Sequence, residues 1–521
     1  MWIVTGTEKN LIKLVSSGKI DKILPVGSYL TVVDDSEVKH ILLVEKSYSK
    51  SLFEPSPLIV DTDLPLLKQD QECKNILYAR ELRQFPIGSD GLFTHIKPNS
   101  EARRTTQEEI DEIFTSKEGY PVFLASSYLT QNSVLKDDQG KLLFVKVPFD
   151  SLYLQTMVCG QTGSGKTVAI KHLIEEFIKN EKGAVLAINV KGIDLLTMEQ
   201  PTIITKERLK EKTEEEWQAL GYSDMNLGEF SIYTPSHQRH KEGVDPNKVR
   251  YITIRTRDLE PNSLLNILQN VTDRAAEALP NIFRAWKEKT REEIIFRNFI
   301  LWFRSKSSRD AEYKFPTISQ FGEESETILH PGTCQAVLRS LEAATDFFDN
   351  QETDCLAIRE DHIMVSGKLS VIDLSNKDTM LFGAVLLGHL LSKIYESKAV
   401  LGQYSDLPVL IVIDEVHQFY RSNASEKTLE QLNAIARMGR SERIGVIFAS
   451  QNPGDLPKGI NNIVNTRIFF RSLTKVGQQF DIKDLSIDLS SLENGYAAIL
   501  SVALPQARFV KFPIPLLGVT S

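Results

Sequence analysis

The chain has 521 residues, 41% of them apolar and 25% charged, with a formal net charge of −8. That length exceeds one ordinary domain and calls for two to four, and the composition excludes a disordered chain. The acidic balance argues against a generally basic nucleic-acid coat, although a channel can be locally basic inside an acidic protein.

The N-terminal Met1-Trp2-Ile3-Val4-Thr5 has no basic leader and no long apolar core, so no signal peptide is expected. No run approaches the roughly 18 apolar residues of a membrane span. Cys73, Cys159, Cys334 and Cys355 are scattered without a CxxC pair, which argues against zinc and a disulfide framework and suits a reducing compartment. A cytoplasmic protein is expected, with no membrane partner.

Residues 1–100 alternate in short segments such as Ser28–Val33 and His40–Val44, separated by Pro25, Gly27, Asp34 and Asp35. Such spacing predicts a small β-barrel or sandwich, read as an assembly or docking module. Residues 101–120 are charged and read as helical or linking. Strands follow at Pro121–Ala125 and Leu142–Val147, the second after the turn signal Asp138-Gln139-Gly140.

The apolar run Leu154–Val158 leads into Gly160-Gln161-Thr162-Gly163-Ser164-Gly165-Lys166-Thr167, which reads G-x-x-x-x-G-K-T, and Val168–Ile174 has helical spacing. Strand, glycine-rich loop and helix in that order make a phosphate-binding P-loop. Its glycines let backbone N–H groups approach a triphosphate, and the helix N-terminus adds a favourable dipole. Lys166 would reach the β- and γ-phosphates of ATP, and the Thr167 hydroxyl would hold Mg²⁺.

Ala184–Ile188 is a fully apolar strand of the kind buried in a parallel sheet, and it ends in Asn189-Val190-Lys191-Gly192. Lys206–Trp217 reads as a helix, and Phe230–Tyr233 and Val249–Ile254 as strands. Residues 257–345 are helical in pattern and read as a bundle inserted into an α/β domain. Its Arg284, Trp286, Lys287, Lys289, Arg291, Arg297, Trp302, Arg304 and Lys306 mix cations with aromatics. That mixture can bind nucleic acid, but the aromatics fall on the apolar stripe and are read as core. The α/β pattern resumes with the strand Leu369–Leu374 and a buried helix from Met380.

Val409–Ile413 is an apolar strand ending in Asp414-Glu415. Paired with a P-loop, this is a Walker B element: Asp414 would order the Mg²⁺ shell, and Glu415 would orient and deprotonate the attacking water. His417 has no evident acid/base partner and is read as structural. The strand Val446–Ser450 ends at Gln451, placed to sense the γ-phosphate. Arg440 precedes that strand and could reach a neighbouring subunit's nucleotide as an arginine finger.

The P-loop, Ile413–His417, Arg437-Met438-Gly439-Arg440, and Ala449–Pro453 through Asn465–Ile468 together resemble the HerA branch of the HerA–FtsK ATPases. The resemblance runs over nearly the whole chain, taking in the early β-rich segment, the helical insertion and the closing Gly495–Leu500 and Phe509–Pro513. It implies an α/β fold with a RecA-like ATPase core over residues 121–256 and 346–521, an N-terminal barrel over 1–100 and a helical insertion over 257–345. It further implies a homo-hexameric DNA translocase or helicase that binds ATP and Mg²⁺ between subunits and passes duplex DNA of any sequence through its pore. Lys166, Thr167, Asp414, Glu415 and Gln451 take the family roles, and Arg440 becomes the trans finger. A separate effector, a nuclease or an NAD-consuming (sirtuin-like) enzyme, is the expected partner in DNA-end processing or anti-phage defence. An assembly scaffold and a conjugation- or secretion-type pump ATPase are the competing readings. Two departures stand out: Asn189 stands where the family often has Asp, and few residues follow Pro513 to form a long brace across subunits.

Overall fold

The N-terminal alternation builds a closed barrel. Its strands are β1 (Trp2–Glu8), β2 (Leu11–Ser17), β3 (Tyr29–Val33), β4 (Lys39–Ser51), β5 (Cys73–Phe85) and β6 (Glu101–Arg104), in the order β1-β2-β5-β4-β3-β6. In β1, Trp2 and Val4 point inward while Ile3 and Thr5 point out. Leu14, Leu30, Val32, Leu42 and Leu77 complete the interior, and closure leaves no free sheet edge. The computed structural model describes residues 2–17, 23–34, 37–51, 73–85, 94–114, 118–128, 131–224, 226–235, 241–268, 273–351, 355–419, 439–452, 454, 463–472, 488–502 and 504–520.

The strand that closes the barrel lies past residue 100, in the stretch read as helical or linking. In β6 only Ala102 turns inward; Glu101, Arg103 and Arg104 face out, so no apolar alternation marks it. The following helix α1 (Gln107–Phe114) is pinned to the barrel: Glu109 pairs with Arg103 at 2.5 Å and accepts a hydrogen bond from the Thr31 hydroxyl at 2.8 Å. Tyr29, Ile41 and Leu43 on the barrel share one apolar cluster with Ile110, Val122 and Phe177. The barrel is therefore packed into the remainder of the chain.

The next strands are β7 (Tyr120–Tyr128), β8 (Gln131–Val134), β9 (Phe144–Val147), β10 (Thr156–Cys159), β11 (Ala184–Asn189), β12 (Glu229–Thr234) and β13 (Val249–Thr253). A two-stranded hairpin, β14 (Lys314–Ile318) and β15 (Glu324–Ile328), stands apart from the large sheet. After it come β16 (Cys355–Ala357), β17 (Lys368–Asp373), β18 (Val409–Ile413), β19 (Ile444–Ser450), β20 (Thr466–Phe469), β21 (Tyr496–Ser501) and β22 (Leu504–Lys511). The large sheet runs β16-β13-β12-β17-β11-β18-β19-β10-β20-β21-β22-β7-β8, with β9 beside β7. From β16 to β20 all pairings are parallel. The P-loop strand β10 is separated from the Asp-Glu strand β18 by β19.

Alternate residues of the central strands feed two cores, as expected for strands covered on both faces. Leu410 and Val412 join the face that carries α2 (Lys166–Glu181), the helix after the P-loop. Val409, Ile411 and Ile413 face the opposite side. Helix α3 (Glu207–Leu220) follows β11. The helices α4 (Asp273–Lys289), α5 (Phe296–Lys306), α6 (Pro331–Ala343) and α7 (Lys377–Tyr395) supply residues to that second core. The aromatics of the insertion fill it: Phe299 meets Phe283 at 5.0 Å and Trp286 at 5.1 Å between ring centroids, and Phe296 stacks on Phe348 at 4.1 Å. The cations sit at its rim, where Lys289 pairs with Glu324 and Arg304 with Glu342.

Candidate active site

The carboxyl ends of parallel strands are where ligands of open α/β sheets bind, and the sequence motifs converge there. β10 ends at Cys159 and turns into the P-loop. Gly163 and Gly165 take φ of +74° and +106°, a region open to glycine at little cost. A Cβ on Gly165 would lie 2.7 Å from the Gly495 nitrogen, whereas a Cβ on Gly163 would meet nothing within 4 Å. The loop is tied to the neighbouring strands: Gly160 N–H donates to Ser450 O at 3.3 Å, Gln161 N–H to Arg471 O at 2.8 Å and Gly495 N–H to Ser164 O at 3.0 Å.

α2 starts at Lys166 with Gly165 as its cap, and no side chain caps it. Its first N–H groups, without intrahelical partners, open toward the loop. The Lys166 ammonium donates to the carbonyls of Gly160 at 2.5 Å and Gln161 at 3.1 Å. Burial pushes its pKa down, and the nearby Glu415 and Asp414 partly offset this. Thr167 is half-buried in the same turn.

Across β19, the Asp-Glu pair leaves β18. Burial, reinforced by the Glu415 charge, pushes the Asp414 carboxyl up to about 6. Asp414 Oδ1 accepts a hydrogen bond from the Glu415 N–H at 2.9 Å. Glu415 takes φ of +45°, an uncommon conformation for a residue with a Cβ, and is 3% exposed. Gln451, at the end of β19, donates its amide to Glu415 Oε1 at 3.1 Å. Four of the residues singled out in the sequence, Lys166, Asp414, Glu415 and Gln451, thus come together.

Arg440 does not join them. It is exposed and precedes β19, while Gln451 follows it. The seven residues of β19 hold the two ends roughly 20 Å apart at about 3.3 Å per residue. Arg440 therefore cannot serve the P-loop of its own chain. Its anchor is Gly439, where a Cβ would come within 2.6 Å of three neighbours, among them Tyr153 O. The His417 side chain, and Arg437, Met438 and Pro453, fall outside the described residues.

Two features escaped sequence reasoning. Lys191, in the turn after β11, forms an ion pair with Glu415 Oε1. Asn189, 1% exposed, is in register with Asp373 of β17 and donates to its Oδ1 at 3.0 Å. The carboxylate at this level of the sheet is therefore carried by the adjacent strand. Asp373 also pairs with Lys241 at 3.1 Å, and Lys241 donates to Gly192 O at 2.8 Å. The apolar strand followed by Asn-Val-Lys-Gly marked the place, but no local signal named the partners.

The donor set fits a metal-bound nucleotide. Open space beside Gly163 and the uncapped helix start suit a phosphate, and the oxygens of Thr167 and Asp414 are hard donors of the kind Mg²⁺ takes. Among the described residues, no group of three or more His, Cys, Asp or Glu is placed to hold a metal by itself. No described helix is long and apolar enough to cross a membrane.

Comparisons with known proteins bear on the family and the fold. The family model described as helicase HerA-like C-terminal matches residues 145–476. The DNA double-strand break repair helicase HerA of Sulfolobus acidocaldarius is 28% identical over 155 residues, 28% of this chain and 31% of that protein. A probable helicase of Methanocaldococcus jannaschii, MJECL08, is 30% identical over 111 residues, 20% of this chain and 21% of its own length. The chain thus spans less than a third of these curated relatives. Among solved structures, the plasmid coupling protein TrwB in complex with ADP and Mg²⁺ is similar with a TM-score of 0.50 at 12% identity, covering 80% of this chain and 95% of that one. At that identity the likeness shows the fold alone. The family model covers well over half of the 521 residues, and the chain belongs to the HerA-like helicase family.

Proposed function

We propose that the chain is an ATP-hydrolysing motor of the HerA type, working as a ring of six that moves duplex DNA. The observation that carries this reading is the meeting of Glu415 and Gln451 beside Lys166 at the mouth of the P-loop. When bound, Mg²⁺ would supply charge neutralisation at the transferring phosphoryl group, with Thr167 and Asp414 holding it. Lys166 binds the phosphates, exchanging its loop carbonyls for phosphate oxygens. Backbone N–H groups of Thr162, Gly163, Gly165 and Lys166 orient them, those of Gly160, Gln161 and Ser164 being bonded to carbonyls of the protein. Glu415 orients a water and takes its proton, and Gln451 fixes the Glu415 carboxylate by its amide.

The place of Arg440 supports a site shared between subunits. A cation that cannot reach its own P-loop can reach a neighbour's in a head-to-tail ring, the kind of interface that closes by rotation. DNA contact would run through phosphates, so binding should be sequence-tolerant and fall steeply with salt. A nuclease or an NAD-consuming effector is the partner proposed for this ring, inside a cell's cytoplasm.

Mixing subunits tests the shared site. Arg440→Ala and Glu415→Gln chains, each nearly inactive alone, should recover ATP hydrolysis when co-assembled, and duplex DNA should stimulate it at low salt. Proven co-assembly without recovery would remove the trans role of Arg440. Hydrolysis indifferent to duplex DNA would remove the motor reading and leave a nucleotide-held scaffold.

A further inference from the structure

The barrel meets the end of the large sheet at a short bridge, Val26 with Ser127. Two cavities lie beside it. The inner one, about 210 Å³, has apolar walls from Leu24, Tyr29, Val134 and Leu143, with Ser28 and Arg104 among them. The outer one, about 640 Å³, is lined by Lys206, Arg208 and Lys212 of α3, with Glu493 its one carboxylate. Pro25 and Ser133 line both, so the two cavities adjoin.

Ser28 is 4% exposed, and its hydroxyl has no hydrogen-bond partner. Its backbone is fixed, the N–H donating to Pro25 O at 3.2 Å and the carbonyl accepting from Val44 at 2.9 Å. A buried hydroxyl left unpaired is rare and costly in a folded chain. Arg104 beside it has only long contacts, 3.5 Å to Lys136 O and 3.8 Å to Asp138. In the outer cavity Lys206, Arg208 and Lys212 are exposed and form no ion pair with any described residue. Cations around them are matched: Lys136 pairs with Glu215 at 2.5 Å, Lys210 with Glu214 at 4.0 Å, and Lys511 with Glu216. In a chain of net charge −8, three unmatched cations at one cavity concentrate positive potential there.

We propose that these adjoining cavities form a second ligand site, separate from the P-loop, for a phosphorylated small molecule of nucleotide size. The phosphates would lie against Lys206, Arg208 and Lys212, whose charge-assisted bonds to phosphate oxygens are strong. The ring system would enter the apolar inner cavity and pair with the Ser28 hydroxyl. Volumes of this order suit a small ligand, whereas the inner recess is too small for a duplex. The site uses neither Glu415 nor Arg440.

The test is equilibrium dialysis of labelled ADP and of pyrophosphate against the full chain, counting sites. Wild type should bind two ADP per chain, and in Lys166→Ala the P-loop site should weaken while the second remains. R208E with K212E should weaken the second site by about tenfold or more, the change that about 1.4 kcal/mol makes in a binding constant. K210E, on the same helix but outside the cavity lining, should leave it unchanged. Ser28→Ala should weaken ADP there and spare pyrophosphate. A single ADP site in wild type, lost in Lys166→Ala, would overturn the proposal. So would a second site that K210E weakens as much as R208E with K212E, since general surface charge would then explain it. Pyrophosphate binding as tightly as ADP, with Ser28→Ala without effect on either, would overturn the nucleotide-sized ligand. Displacement of ADP from the second site by duplex DNA would overturn the small-molecule class.

Discussion

Glu175 offers a pH-dependent prediction with a worked sign. It lies on α2, the helix that begins with Lys166, and is 2% exposed. Its two oxygens accept the N–H groups of Leu516 and Leu517, each at 3.2 Å. Around it the Lys171 ammonium donates to Gly518 O, the Trp217 indole to Ile514 O at 2.7 Å, and the Thr202 hydroxyl to Pro515 O at 2.8 Å. The segment from Ile514 to Gly518 is thus strapped over the P-loop helix. Burial pushes the Glu175 carboxyl up from 4.5 to about 7, more than the two N–H groups pull it down. The folded chain therefore binds this proton more tightly than the unfolded chain does. At about 1.4 kcal/mol for each tenfold change in proton affinity, the rise from 4.5 to about 7 amounts to about 3.5 kcal/mol. That stability is present below pH 4.5 and is lost as pH rises through about 7. Glu175→Gln is neutral throughout but offers one oxygen to two N–H groups, a loss of about 1 kcal/mol. The variant should match the wild type near pH 5 and exceed it by about 2 kcal/mol at pH 8. Urea unfolding across pH 5–8, with amide exchange of residues 514–520 as the local probe, measures this. A difference between variant and wild type that stays constant over that range would refute the argument.

Three further outcomes follow from the geometry. Gly165→Ala should destabilise the chain more than Gly163→Ala: both add left-handed strain of about 1–3 kcal/mol, but only the first drives a Cβ into the Gly495 backbone. Equal losses in thermal unfolding would contradict the close approach. Asn189→Asp should place a second carboxylate against Asp373, in register at 3.0 Å, and its cost should grow as pH rises through the carboxylate range; a pH-independent effect would argue for simple loss of packing. Removing the barrel at residue 100 should lower the solubility of the remainder, because it strands β6, takes away the Thr31 hydroxyl bonded to Glu109 and removes Tyr29, Ile41 and Leu43 from the apolar cluster they share with the core; a soluble, cooperatively melting fragment would show that the barrel is separable.

What was legible in the sequence is the part whose chemistry is local. A P-loop must carry its glycines, lysine and threonine in one short run, and Asp414-Glu415 must follow a buried strand, so both declared themselves. Gln451 was legible by its place at the end of the neighbouring strand. The partners of Glu415 were not, because Lys191 lies 224 positions away and only the parallel register of β11 and β18 brings them together. Asp373 likewise meets Asn189 through sheet order alone. β6 hid because a strand with one inward residue carries no alternation, and β14 and β15 hid inside a segment dominated by helical spacing. The long apolar strands resisted nothing: buried on both faces, they read as continuous apolar runs.

The central claim is that the P-loop and the Asp-Glu pair form one ATP-hydrolysing centre. Its most direct test is nucleotide binding and hydrolysis measured side by side on Glu415→Gln and Lys166→Ala with Mg²⁺ present. The account predicts that Glu415→Gln binds ATP and turns it over about 10²–10⁴-fold more slowly, the usual scale of a general base, while Lys166→Ala loses hydrolysis through loss of the phosphate cation. Wild-type hydrolysis by either folded variant would contradict it.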